Sequence, residues 1–307
     1  MSAPSIPFIE QTAGKGAARA ARRRGHKLAL AGGSDRRPGW VTYVILGAFI
    51  LISAYPIYFA FLLASSNAAQ IAQNPIPSLI PHGEFFTNIG RVLKSDIALP
   101  KAIMNSVIVA SVTAASVVFF ATLAGFAFSK LRFRGRGPLL VFVIATMAVP
   151  TQLGVVPLYI VMRNLHLVGN LWSVILPGAV TAFGVFWMTQ YLDSALPYEL
   201  IEAARVDGAS MFRTFRSIAL PAARPAAAML ALFSFIGSWT NYFWPSIVLG
   251  TINPTLPVAL QLLQAGFFKD IALIMAGVVI SVVPLLLLFL VAGKQLVSGI
   301  MQGAVKG

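Results

Sequence analysis

Residues 198–221 read YELIEAARVDGASMFRTFRSIALP, a mixed-charge stretch between two long apolar runs. Residues 198–206 are good helix formers with an apolar stripe at Leu200, Ile201 and Ala204. Gly208 can supply the backbone conformation that ends a helix. Ser210 can cap a second helix, in which Met211, Phe212, Phe215 and Ile218 recur at helical spacing. Pro221 is expected to stop that helix before the next apolar run. The enclosing loop, 193–224, holds four of the nine acids (Asp193, Glu199, Glu202 and Asp207) together with Arg205, Arg213, Arg216 and Arg224. Such an amphipathic hairpin has two physical readings. It can rest on lipid headgroups, or it can offer an apolar knob and a charged rim to a partner's groove.

Outward from this loop, residues 171–192 and 225–249 carry no charge, and four more such runs lie at 41–63, 105–128, 139–162 and 271–292. Each reaches about 20 residues, enough for a helix to cross a hydrocarbon core of about 30 Å. Backbone groups in lipid must be satisfied within the segment, so these runs read as helices. All 23 basic and all 9 acidic residues of the chain fall outside them. The 307 residues are 58% hydrophobic and only 10% charged, which excludes an ordinary soluble domain and a disordered chain alike. With no cysteine, disulfide scaffolds and thiolate metal sites are excluded too. The expected fold is an all-α membrane protein of six transmembrane helices.

The net charge of +14 would suggest a nucleic-acid partner in a soluble protein. Its distribution argues otherwise. Eighteen basic residues lie in 1–39, 130–136, 193–224 and the C-terminal tail, against five in the alternate loops. This bias places both termini in the cytoplasm and 64–104, 163–170 and 250–270 outside. No nucleic-acid partner is expected; membrane lipid is. Residues 1–39 are expected to form a basic, disordered cytoplasmic tail, with 40–307 as the transmembrane domain. Within the tail, 17–30 could lie on the membrane as an amphipathic helix. The first apolar run reads as a retained signal anchor. Pro56, Pro150, Pro157, Pro177, Pro245 and Pro284 fall within or near the runs. They kink helices for packing or shape a path through them.

The order Glu202-Ala203-Ala204, Gly208, then Ile218 and Leu220-Pro221 resembles the EAA signature of permease subunits in ATP-binding-cassette (ABC) importers. Val149-Pro150 through Pro157-Leu158-Tyr159 to Leu165 and Asn170 is similar to the third-helix region of carbohydrate-uptake permeases. Trp239-Thr240-Asn241 through Pro245 resembles their fifth-helix motif, with an extra Thr. The ending Gly299–Gly307 is similar to that of the smaller maltose-transporter type of permease.

The resemblance implies a type I ABC importer permease fold in the bacterial cytoplasmic membrane, passing it several times. It implies a second permease, two ATPase subunits docking at 198–221, and an extracytoplasmic sugar-binding protein on the outer loops. The coupling set it implies is Glu202, Ala203, Ala204, Asp207, Gly208, Ala209, Phe212, Ile218, Leu220 and Pro221. In that set Glu202 is the charged contact to the ATPase, Gly208 permits the bend, and Ala203 and Ala204 allow close approach. The implied cargo is a di- or oligosaccharide, with glycerol phosphate as the alternative within the family.

No Gly-x4-Gly-Lys-Ser/Thr phosphate loop occurs in the chain, so ATP and Mg are expected on partner subunits and no cofactor on this one. His26, His82 and His166 are scattered, and no metal site is expected. An ion-coupled carrier or channel is the alternative, disfavoured by the lack of charge within the spans. A membrane-embedded enzyme is disfavoured by the lack of any acid, His or Cys constellation, and no catalytic residue is assigned. For a substrate path, Phe235, Trp239 and Tyr242 at i, i+4 and i+7 are expected on one helical face beside Asn241, with Thr151 and Gln152 near mid-membrane. The same aromatics could instead be an interfacial belt or ordinary packing.

Overall fold

The computed structural model describes residues 39–74, 76, 78–264 and 270–304, with no side-chain description at 291–292 and 294–304. The expected tail, with its surface helix at 17–30, lies outside the described residues but for Gly39. The chain divides into two units, residues 1–56 and 57–307. Of the first, the described residues are mainly the apolar beginning of α1 (Trp40–Ala64), whose side chains stand exposed.

In the second unit, α2 (Ala68–Gln73) and α3 (Phe85–Leu93) precede the long α4 (Leu99–Lys130). The third apolar run is divided into α5 (Arg136–Ala145) and α6 (Val155–Asn164), and the fourth into α7 (Trp172–Gly178) and α8 (Ala182–Ala195). The hairpin helices are α9 (Tyr198–Val206) and α10 (Met211–Thr214). After a π turn over Phe215–Ala219 come α11 (Leu220–Trp239), α12 (Phe243–Val248), α13 (Leu256–Gln264) and α14 (Ile271–Ala304). All regular structure among the described residues is helical.

Two runs are bent at the prolines expected to kink them, and the helix stop expected at Pro221 is corrected. Among the described residues, four stretches are single helices long and apolar enough to cross a membrane, and the third and fourth runs are bent pairs, at 90° and 41°. The first break follows from Pro150, which forces Val149 out of the helical region to ψ 118°. The second follows from Pro177 and Gly178, after which the Thr181 side chain caps α8 by accepting from the Gly184 N–H. Pro221 does not end the hairpin's second helix: helix continues from Met211 to Trp239. In the π turn the Leu220 N–H donates to the Phe215 carbonyl, five residues back. That slip re-registers the ladder and leaves Pro221 in a first turn, where its missing N–H costs least. The fifth run is interrupted instead at 240–242, between α11 and α12.

Helix α4 is the centre, packed against both α8 and α11. Its buried face is rich in Ala, Ser, Thr and Gly, so neighbouring backbones approach closely. A Cβ added at Gly125 would lie 2.7 Å from Met188 Cβ and 2.9 Å from the Thr189 nitrogen. Gly184 is similarly tight, 3.2 Å from Ala121 and Val117. The broken fourth span is repaired from a distance. Pro177 has no N–H for the Ser173 carbonyl, and the buried Trp244 Nε1 donates to that oxygen at 2.9 Å.

At the end of the bundle away from the hairpin, polar groups close the loops. The buried Asn88 Nδ2 donates to the Ala64 and Ser66 carbonyls at the end of α1, each at 2.9 Å. Arg91 donates to Asn88 Oδ1 and pairs with Asp270 at 2.6 Å, tying α3 to the start of α14. Lys101, Asn105 and Ser106 of α4 hold the backbone of 252–256.

Gly125→Val should lower thermal stability in detergent by roughly 1–3 kcal/mol, the overpacking cost, whereas Gly90→Ala, helical and with open space around it, should raise it by about 0.5–1 kcal/mol. Trp244→Phe should cost about 1–3 kcal/mol by orphaning the Ser173 carbonyl. In a Pro177→Ala background, which returns a backbone donor, that cost should shrink, and unfolding midpoints of the four proteins check it.

Candidate functional site: the 193–224 hairpin

The hairpin is built as its residues require. Pro197, with extended ψ 143°, leads into α9, and Glu199 stands in the first turn and Arg205 in the last, each where the helix dipole favours it. The end of α9 is a Schellman motif: the Ala209 N–H donates to the Ala204 carbonyl at 2.9 Å, and the Gly208 N–H to the Arg205 carbonyl at 3.0 Å. Gly208 takes φ +74°, with nothing within 4 Å of where a Cβ would stand. The glycine is thus needed for its backbone conformation and not for space. The Ser210 side chain accepts from the Arg213 N–H, capping α10.

One face of the hairpin is anchored. Leu196, Ile201, Phe215 and Ala219 are buried in a core cluster with Phe126 of α4, Met188 and Leu192 of α8, and Ala223 and Leu230 of α11. Burial of Ile201 and Phe215 contributes about 1.5–3 kcal/mol each. The Phe126 and Phe215 rings lie 5.5 Å apart. The entry is held as well: Lys130 Nζ donates to the Asp193 carbonyl at 3.2 Å, and the Arg132 guanidinium lies 4.9 Å over the Tyr198 ring.

The other face is open. Glu202, Ala203, Asp207, Gly208, Leu220 and Pro221 are exposed, and Ala209 and Ile218 are half-buried. Val206 and Phe212 are 87% and 71% exposed. Among the described residues, Glu199, Glu202 and Asp207 enter no ion pair. Apolar side chains held up among unpaired charges, on a base rigid at its other face, form a surface suited to a partner. Of the apolar positions read from the sequence, Ile201, Ala204 and Phe215 face the core, Met211 and Ile218 are half-buried, and Leu200 and Phe212 face out.

The residues read as a substrate path are brought together only in part. The Phe235 and Trp239 rings stack at 5.8 Å and 13°. Trp239 is 3% exposed and donates from Nε1 to the Ser281 carbonyl, fastening α11 to α14. Tyr242 does not continue their face, because α11 ends at Trp239 and the chain turns at Thr240. Tyr242 is exposed and Asn241 half-buried. Thr151 and Gln152 are exposed in a 3-10 turn at the 90° break of the third run. Asn241 and Tyr242, like Thr151 and Gln152, therefore lie where an apolar run is interrupted. Sequence reasoning missed Lys130, Arg132 and Trp244. Lys130 and Arg132 read as members of a basic loop, and nothing local distinguishes a buried lysine from a solvated one. Trp244 is found only by asking what meets the carbonyl that Pro177 frees.

Residues 117–296 match the family model described as binding-protein-dependent transport system inner membrane component. The chain is 29% identical over 266 residues to the arabinooligosaccharides transport system permease protein AraQ of Bacillus subtilis, covering 86% of this chain and 94% of that one. It is 27% identical over 279 residues to the sn-glycerol-3-phosphate transport system permease protein UgpE of Brucella abortus, covering 87% and 98%. It also resembles a chain in the crystal structure of a bacterial ABC transporter involved in the import of the acidic polysaccharide alginate. There the TM-score is 0.71 at 25% identity, over 94% of this chain and 99% of that chain.

Gly208→Ala should destabilise the hairpin by about 1–2 kcal/mol, the cost of a left-handed non-glycine residue. Ser210→Ala should cost about 1 kcal/mol. Hydrogen exchange at amides 199–206 should then quicken about 5- to 30-fold in Gly208→Ala and remain unchanged in the centre of α4.

Proposed function

Because the chain belongs to the family of binding-protein-dependent transport system inner membrane components, we propose that it is one of two permease subunits of an ABC importer. The importer moves a saccharide, of di- or oligosaccharide size, from an extracytoplasmic binding protein into the cytoplasm. Relatives over nearly the whole chain carry the oligosaccharide and polysaccharide reading. Import of a glycerol phosphate is the second reading, supported by the likeness to UgpE. The family is a transporter permease, so ATP and Mg belong to partner ATPase subunits and this chain catalyses nothing by itself. It is a multi-pass membrane protein. The basic-residue bias supports six crossings with both termini in the bacterial cytoplasm. In that count each bent pair makes one crossing.

The observation that carries the coupling assignment is the two-faced hairpin, buried at Ile201 and Phe215 and open at Glu202, Ala203, Val206 and Phe212. On this reading residues 198–221 dock in a cleft of an ATPase subunit. Glu202 makes a charged contact there. Ala203 lets the surfaces approach, and Gly208 sets the angle between the two helices. Closure of the ATPase pair then moves the hairpin. The exposed Asp207, Leu220 and Pro221 and the half-buried Ala209 and Ile218 complete the docking surface. Trp239 and Phe235 support the outer half of the pathway, which Asn241, Tyr242, Thr151 and Gln152 line at the broken spans. The outer loops receive the binding protein.

In proteoliposomes holding the complete importer, Glu202→Arg and Gly208→Asp should abolish saccharide uptake while both chains still insert and assemble. Charge reversal at a close contact costs several kcal/mol. Normal transport by both variants would refute the coupling assignment. A calorimetric screen of the binding protein separates the two cargo readings, saccharide heats supporting the first and glycerol 3-phosphate heats the second.

A further inference from the structure

Among the basic residues of the 130–136 loop, one is set apart by its position. Arg132 and Arg134 are exposed, but Lys130 is 4% exposed at the end of α4. Its ammonium donates to the Asp193 carbonyl at 3.2 Å and lies 3.9 Å from the Asp193 carboxylate. A lone surface charge kept for orientation would be solvated. A buried one requires its partners in place, and it resists any motion that takes them away. Two residues on, Arg132 covers the ring of Tyr198, the first residue of α9. Four residues before, Phe126 meets Phe215 at the hairpin's exit. Leu131 packs on the same core cluster. The segment 126–132 thus grips the hairpin at its entry and its exit, through contacts of three different kinds.

Resting on the coupling reading above, we propose that Lys130 is the positioning residue that locks the end of α4 to the last turn of α8, the turn from which the hairpin begins. A push on the hairpin then turns α4 directly. Covalent continuity alone would deliver the stroke only to α8 and to α11, which join the hairpin in sequence. Helix α4 has no such link, yet it is the helix that packs against both of them. The Lys130–Asp193 contact fixes α4 to the turn of α8 that leads into the hairpin, and Arg132–Tyr198 and Phe126–Phe215 join the segment 126–132 to the hairpin itself.

The test uses the complete importer in proteoliposomes, with uptake and ATP hydrolysis measured in the same vesicles. Lys130→Met keeps the stem and removes the ammonium. Its saccharide moved per ATP should fall about tenfold, with hydrolysis within about twofold of wild type, the scale on which coupling residues act. Lys130→Arg should restore most of the ratio. A purely structural lysine would lower the yield of assembled complex and leave saccharide per ATP unchanged, and that result overturns the proposal. Because the chain has no cysteine, a second measurement can place an introduced pair as its only thiols, and it does not depend on Lys130→Met assembling. Arg132→Cys with Tyr198→Cys, bridged by a short bis-maleimide, should retain uptake, since the bridged parts move together. Loss of uptake on bridging means they move apart and sinks the proposal. Normal transport by Glu202→Arg undermines the coupling reading itself, whereas an unchanged Lys130→Met ratio beside an inactive Glu202→Arg removes only this inference.

Discussion

A backbone carbonyl with no donor is the constraint on which this structure turns. In a membrane no water reaches it, and the protein must supply the partner from elsewhere in the chain. Pro177 creates such a carbonyl at Ser173, and the indole of Trp244 meets it. One contact thereby permits the 41° bend of the fourth span and fixes α12 against α7. It also places the break after α11, because a short helix must return to bring Trp244 to Ser173. Trp239 does a related task, joining α11 to α14 through the Ser281 carbonyl. Trp239, placed by the sequence in a substrate path, is thus engaged in fastening two helices together.

Close packing at α4 is the second determinant. Gly125 and Gly184 let α4 and α8 approach until a Cβ would collide. The core cluster at that crossing continues without interruption into Ile201 and Phe215 of the hairpin. A loop between two spans would ordinarily be the most mobile part of a membrane protein. Here its buried face belongs to the same packed body as three helices, and only its outer face is free to meet a partner. A hairpin with this division can transmit force, because displacement at its open face cannot be absorbed within the loop.

Much of this was legible from residues alone. The apolar runs, the helix termination at Gly208 and the cap at Ser210 depend on local chemistry, and local chemistry is written in order along the chain. The breaks were harder. Pro150 and Pro177 were visible as prolines, but a proline inside a span can kink it, stop it or pass unnoticed, depending on what satisfies the freed group. Pro221 illustrates the opposite error. It reads as a helix stop, and a π turn just before it lets the helix run on to Trp239. The register of Phe235, Trp239 and Tyr242 failed for the same reason, since a periodicity argument assumes that the helix continues.

The sequence by itself determined the class of the protein, the location of its spans and the two-helix form of the hairpin. These follow from hydropathy, charge placement and backbone preference, which each residue carries with it. Only the tertiary structure decided where the spans bend, which hairpin face is open, and that Lys130 is buried while Arg132 and Arg134 are exposed. Those outcomes depend on which groups meet across distances of 39 to 71 residues, as Trp187 meets Ala226 and Trp244 meets Ser173. Such meetings are set by packing, and packing is a property of the whole chain at once.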